Sequence, residues 1–491
     1  MAECACAGLA IRDASMVASG VPGRLRRFPA SLLRLELAVG AVASLAGLHP
    51  LVTPFLYYSG CLGSLGEDAL GAATTIVNAK VFDGTKSQDW TSVRFADGLI
   101  TKCSAAPAAQ EGDEVIDAGG GTVLPGLIDA HVHLVPGALA QSLTFGVTTV
   151  LDMFSKPGLV ASAKEQAGSR LDVADVRSSG VGATAPGGHP SVMYAPFPTL
   201  TAADQAGQFV AERIAAGSDY LKIISGTGGL WPSLDSETIQ ALVIAAHIRG
   251  LLVVAHVSST AGVEEVVSAG VDVVAHVPAN AELDKALVER MAEAGIVVGP
   301  TLATIENTLG EPGGAAVAGD PRLGEALGDA WARRLTSAAP GWRGREMPPY
   351  SRAEDNVRRL ADAGVTLLAG TDAPNPGTVF GASLHRELEL LVRCGISPAQ
   401  ALAAATAEPA RVFGLADRGR VAAGQRADLV LVSGDPLTDI TATRAIERIW
   451  RGGIACDRRA FVASAAEAEQ LDAFDAQLAK VVAAVRERWS S

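Results

Sequence analysis

Eight short apolar segments alternate with stretches of helical periodicity through the middle of the chain, and no other feature limits its fold so much. The segments are Leu127–His133, Val147–Asp152, Ala174–Gly180, Asp219–Ile224, Leu251–His256, Val271–His276, Ile296–Thr301 and Val365–Thr371. Each reads as a strand, and intervening stretches such as Ser236–Arg249 and Ala261–Ala269 read as helices. Strands alternating with helices form parallel βα units. Eight such units predict an α/β chain folded as a (β/α)8 TIM barrel of the usual ~250 residues. An open doubly wound sheet is the alternative, but its phosphate-binding fingerprint is missing. Gly226-Thr227-Gly228-Gly229 follows a strand without the required glycine spacing.

Strand patterns also flank this region. Thr75–Phe82 and Ser92–Phe95 read as strands, and Asp97-Gly98 supplies a hairpin turn before Leu99–Lys102. Beyond the alternating region, Ala427–Val432 and Ile446–Trp450 read as strands separated by the loop at Gly434-Asp435-Pro436. Neither flank has enough strands to bury a face alone. The two are therefore predicted to pair as a small composite β-sandwich domain, with its halves at 73–123 and 415–460 and the barrel inserted over 124–414. A helical tail over 461–491 is expected to pack on the barrel or on a neighbouring subunit. Glu306–Tyr350 is longer than an ordinary connection and contains Trp331, Trp342 and Met347-Pro348-Pro349-Tyr350, the makings of a lid.

Residues 1–72 read differently. Arg24, Arg26 and Arg27 precede a run from Leu37 to Gly66 without Asp, Glu, Lys or Arg, the order of an export signal, but Pro50 and Pro54 interrupt the run. The expectation is an extension without catalytic role and a cytoplasmic protein, with export or membrane anchoring through this segment as the alternative.

Composition closes off several function classes. Hydrophobic residues make up 48% of the 491 and charged residues 19%, enough apolar material for a large core. The formal charge of −13 disfavours nucleic acid and anionic membrane surfaces as partners of the catalytic domain. Six cysteines in so long a chain, with no C-x-x-C pair, exclude a zinc ribbon or a disulfide scaffold.

Chemistry gathers at the strand ends. The first strand closes on His131-Val132-His133, the fourth carries Lys222, the fifth ends in His256, the sixth in His276, and Asp372 follows the eighth. Alternate residues of a strand face the same side, so His131 and His133 can chelate one ion. A barrel gathers its strand ends around one mouth at the C-terminal face. A lone strand histidine is more often a hydrogen-bonded core residue, but half of the chain's eight histidines fall at these ends. Asp372 and Lys222 join them where an unpaired buried charge is costly. Lys222 paired with Asp372 in an ordinary ion pair is the competing reading.

Pro125–His133 resembles the opening signature of the amidohydrolase superfamily. Asp219–Ile223, Ala255-His256-Val257, Ala275-His276-Val277 and Gly370–Pro374 match its later motifs in order. The likeness runs from about Thr74 to Gly453. It is closest to the imidazolonepropionase-like and prolidase-like metal-dependent hydrolases, to which Pro186-Gly187-Gly188-His189 also points.

The resemblance implies two Zn2+ ions per chain, or another divalent metal. His131, His133 and Asp372 would hold the deeper ion, His256 and His276 the outer one, and carboxylated Lys222 would bridge them. It further implies hydrolysis of a C–N bond, in an amide, cyclic amide or dipeptide, by a metal-activated hydroxide. Asp372 would shuttle the proton, and His276 would orient or stabilise the oxyanion if one metal is bound. A lactone or organophosphate ester hydrolase and a non-catalytic scaffold are the alternatives. His189, Trp231 and Asn375 are candidate contacts to a small-molecule substrate, Thr378 is expected with Asn375 at the mouth, and a homo-oligomer is expected. His247 and His385 lie in helical patterns and read as structural.

Overall fold

The computed structural model describes residues 73–191, 197–225, 231–337 and 347–461, with scattered positions between 466 and 479. The extension over 1–72, the Gly226–Gly229 loop and Trp342 lie outside the described residues.

Seven strands precede the alternating region: β1 (Thr74–Val77), β2 (Lys80–Phe82), β3 (Ser87–Gln88), β4 (Ser92–Ala96), β5 (Leu99–Ser104), β6 (Glu114–Asp117) and β7 (Thr122–Pro125). Seven more lie within it: β8 (Leu127–Val132), β9 (Val147–Asp152), β10 (Asp175–Ser178), β11 (Leu221–Ile224), β12 (Val253–His256), β13 (Val273–Ala275) and β14 (Val297–Gly299). Three follow: β15 (Leu429–Val432), β16 (Ile446–Arg451) and β17 (Ile454–Ala455).

Thr75–Phe82, read as one strand, is two. Asn78 takes a φ of 54° and breaks the run, sending β1 and β2 into different sheets. The turn between β4 and β5 follows the sequence: Asp97 and Gly98 have φ of 52° and 78°, the pair of left-handed residues that a type I′ hairpin requires. One sheet has the order β5-β4-β1-β6, and the other β17-β16-β15-β7-β2-β3. The second draws on both flanks, since β7 pairs antiparallel with β15 from Pro125↔Leu429 to Thr122↔Val432. Ile76, Phe95 and Ile100 of the first sheet share a buried core with Val123, Leu431 and Trp450 of the second. The Phe95 and Trp450 rings meet edge to face, 5.6 Å apart.

Within the alternating region the pairing is parallel, in the orders β10-β9-β8 and β11-β12-β13-β14. Single bridges join the ends: Ala183↔Ile223, Val298↔Leu367 and Val132↔Ala373. The strands are apolar on both parities because both faces are covered. Ile128, Leu151, Val254, Val273 and Val297 pack in one buried cluster, whereas Leu127, Val150, Val253, Val274 and Val298 pack in another, with the helices.

The helix Ser236–His247 shows the local logic. Asp235 caps it by accepting from the Thr238 N–H, and Ile239, Leu242, Val243 and Ala246 form its buried stripe. Each large apolar side chain there contributes about 1.5–3 kcal/mol on burial.

The eighth segment, Val365–Thr371, makes a single bridge, Val298↔Leu367, without forming a continuous strand. Its ladder is interrupted by a side chain, since the Asp129 carboxylate accepts both the Thr371 N–H (3.0 Å) and the Thr371 hydroxyl (2.7 Å). Gly370 is needed at the crossing, where a Cβ would stand 2.8 Å from that of His131. The Glu306–Tyr350 stretch holds helices at Gly313–Ala318 and Pro321–Leu335.

Candidate metal centre

Strand parity places Lys222 and His256, whereas His131 and His133 share the parity of outward-packed Leu127 and follow a register irregularity between Asp129 and Val132. Leu221 and Ile223 pack with the helices, so Lys222 between them points the other way. Val254 belongs to the inner cluster, and His256 shares its parity. His276 does not follow this rule: Val273 and Ala275 face inward, and a regular strand would turn the next side chain out. Its φ of 75° reverses that.

The histidine rings form a chain. Centroids are 5.3 Å apart for His131–His133, 4.8 Å for His131–His276, 4.5 Å for His256–His276 and 5.5 Å for His189–His256. Asp372 Oδ1 lies 3.4 Å from His131 Nε2 and 3.0 Å from His133 Nε2, and Oδ2 lies 4.0 Å from His276 Nδ1. Among the described residues, His131, His276 and Asp372 bring ligand atoms within 4.8 Å of one another. His276 thus stands beside both His131 and His256, and its left-handed backbone is what brings its ring towards Asp372.

These atoms fit a bound cation. His133 Nδ1 lies 3.2 Å from the Phe154 carbonyl, which only accepts, so Nδ1 donates there and Nε2 is the ring atom that faces Asp372. His131 Nε2, Asp372 Oδ1 and Lys222 Nζ are buried without a hydrogen-bond partner. Polar atoms left unpaired in a buried site are costly unless an ion or ligand satisfies them, and a cation suits this donor set.

Burial sets the protonation states. It holds the pKa values of His131 and His256 well below the usual imidazole range, with neighbouring Lys222 and His276 respectively adding to the effect. It also lowers His276 to about 3 and His189 to about 4, so these rings are neutral at pH 7, the ligating form. Burial brings Lys222 down to about 7. Asp372 is pushed up by burial, but the neighbouring His133, His276 and Lys222 outweigh that and hold it below the ordinary carboxylate value.

Three residues that the sequence did not single out orient this set. The Thr301 hydroxyl is 2.8 Å from the Pro300 carbonyl and 2.7 Å from His276 Nδ1. Its single proton belongs on the carbonyl, since two oxygens that close repel otherwise, so Nδ1–H donates to the hydroxyl and leaves Nε2 free as a ligand. Glu387, fully buried and raised to about 8 by that burial, accepts the N–H groups of Leu302 and Ala303 immediately after Thr301. Asp129, raised to about 7 by burial, ties the His131 N–H to Thr371.

All nine residues named as site candidates line one cavity of about 1500 Å³. Trp231 and His189 belong to its wall. Asn375 also lines it, but its side-chain amide donates to the Asp372 carbonyl at 2.7 Å, a turn contact. Thr378 is fully buried and donates to the Asn375 carbonyl, so it is not at the mouth. Met347, Pro348 and Pro349 line the cavity as a lid segment would, whereas Trp331 is buried against Phe380. From the tail, Gln470, Leu471 and Asp475 reach the cavity, and Asp475 pairs with buried Arg334 at 2.8 Å. His385 is buried against Thr443 and Phe145, and His247 pairs with Asp272 near the surface; neither lines the cavity.

Residues 122–455 match the Amidohydrolase family. An uncharacterized protein of Mycobacterium tuberculosis is 28% identical over 375 residues, 72% of this chain and 88% of the relative. An imidazolonepropionase of Deinococcus deserti is 40% identical over 100 residues, 20% of this chain and 25% of that one. The crystal structure of a putative prolidase from Bifidobacterium longum superposes with a TM-score of 0.63 at 26% identity, covering 82% of this chain and 99% of the other.

Proposed function

Since the chain belongs to the amidohydrolase family, we propose that it is a metal-dependent hydrolase of a C–N bond in a small amide, cyclic amide or dipeptide, working with two zinc ions. The observation that carries this reading is the set of buried, unpartnered polar atoms, His131 Nε2 and Asp372 Oδ1, facing one another beside an unpartnered Lys222. The imidazolonepropionase and prolidase relatives support the choice of bond.

His131, His133, His256, His276 and Asp372 would hold the ions. When bound, divalent ions supply Lewis acidity and a water that ionises near neutral pH. Lys222 has the neutral amine needed to take up carbon dioxide: the nitrogen bonds to carbon, one proton leaves, and the resulting carbamate can bridge where an ammonium would repel. Asp372, ionised at neutral pH, takes a proton from the attacking water and returns it to the leaving nitrogen. The same reading assigns 124–414 to a closed catalytic barrel and 73–123 with 415–460 to a composite sandwich. The strand pairing of β7 with β15 supports that assignment.

The test joins metal analysis to a hydrolysis screen of N-acyl amino acids, X-Pro dipeptides, cyclic imides and lactones. Close to two ions per chain are expected, with Lys222→Ala losing activity that short carboxylic acids partly restore. Full activity with one ion would overturn the two-metal form, and activity confined to lactones would overturn the choice of bond.

A further inference from the structure

One wall of the cavity carries a buried cation that, among the described residues, has only a loose carboxylate contact. The Phe154 ring lies 4.3 Å from His133 and 6.4 Å from Phe197, and the lining includes Leu159, Pro198 and Arg213. Arg213 projects from the helix Ala206–Ala215 over the Phe209 ring, its guanidinium carbon 4.6 Å from the ring centre. The residue is 8% exposed, and its Nε and Nη1 have no hydrogen-bond partner. Among the described residues its carboxylate neighbour is Glu212, which stands 3.7 Å from Nη2, beyond hydrogen-bond length, and is itself half exposed. Cation–π contact returns part of the cost of burying the charge, but a guanidinium cannot shed its proton and its free N–H groups stay unsatisfied.

We propose that Arg213 is the anion-recognition residue of this cavity, receiving the carboxylate of a substrate whose apolar or aromatic body lies along Phe154 and Phe197 while its amide sits at the histidine cluster. A charge-assisted bond to a carboxylate satisfies the N–H groups that folding leaves open. The proposal deepens the hydrolase reading by giving the substrate an acidic end.

Its primary test is binding rather than turnover. Calorimetric titration of the metal-loaded protein with 4-phenylbutyrate and with 4-phenylbutyramide compares one body with and without the charge. The wild type is expected to bind the acid at least ~10-fold more tightly, the worth of one charge-assisted contact. Arg213→Leu is expected to bind both alike, with its affinity for the amide unchanged. Equal binding of the two by the wild type overturns the proposal. So does an acid preference that survives Arg213→Leu, because the carboxylate then sits at the histidine cluster. Should the Leu variant not fold, Arg213→Lys, which lacks the planar fork, carries the same comparison: loss of part of the preference supports the proposal, and an unchanged preference overturns it. If the binding pattern holds but no amide is cleaved, the reaction is wrong and the anion site stands. If acidic amides are cleaved with KM unchanged in the variant, the site is wrong and the reaction stands.

Discussion

His276, Thr301 and Asp372 stand on left-handed backbone, with φ of 75°, 52° and 56°. For L residues such a conformation costs about 1–2 kcal/mol each, and it recurs where backbone must aim side chains against the strand alternation. Thr301 is therefore expected to act through His276. Thr301→Val should weaken metal binding ~10–100-fold, the range for a lost partner behind a ligating histidine, while Thr301→Ser restores it; competition with a chelator reads both. Asp372→Asn keeps the size and one ligating oxygen but removes the basic site. It should retain metal and lose ~10²–10⁴-fold in kcat, and near-normal turnover at full occupancy would move the proton shuttle to His276. The histidines were legible because a ligand at a strand end shows in the local sequence. Thr301, Asp129 and Glu387 were not, since their roles depend on torsion angles and on partners far along the chain. Arg213 gave no signal at all, because a solvated helix face and a buried one read alike at a single arginine.

Elements were legible where one residue pattern serves one environment. Val147–Asp152 falls on the observed strand, and the hairpin at Asp97-Gly98 follows from turn chemistry alone. The eighth segment was read as a strand because its apolar residues are those of a strand, but the Asp129 side chain occupies its ladder from outside the segment. The helix Ala382–Arg393 yields a pH prediction. His385 bonds the Phe145 carbonyl and Thr443, and burial, with Arg444 adding to it, lowers its pKa to about 3. A depressed histidine pKa stabilises the fold above the unfolded value near 6.5, and that contribution is lost as pH falls towards 3. About 2 kcal/mol should disappear between pH 6.5 and 5. Urea unfolding at both pH values measures it, and His385→Gln should flatten that part of the profile; an equally steep variant would locate the titration elsewhere.

Across the whole molecule, a buried charge cluster ties the two regions together. Asp175 on β10 accepts from Arg418 and from Arg426 (3.2 Å), both in the segment before β15. Burial pushes the Asp175 carboxyl up, but those arginines outweigh it and hold it well below the usual range. Asp175→Ala strips these cations of a shared partner and should cost about 3–5 kcal/mol, the penalty for breaking a buried pair, seen as a lower midpoint in denaturant with metal content unchanged. The pairing of β7 with β15 also carries a consequence for how the chain is made. Roughly three hundred residues separate the two strands, and at ~5–20 residues per second a ribosome needs about 15–60 s to bring the second within reach of the first. For that interval β7 has β2 on one side and an open backbone edge on the other, a surface that invites pairing with a neighbouring nascent chain. Slow, crowded synthesis should therefore fail through intermolecular β-pairing at this strand before any defect appears at the histidines.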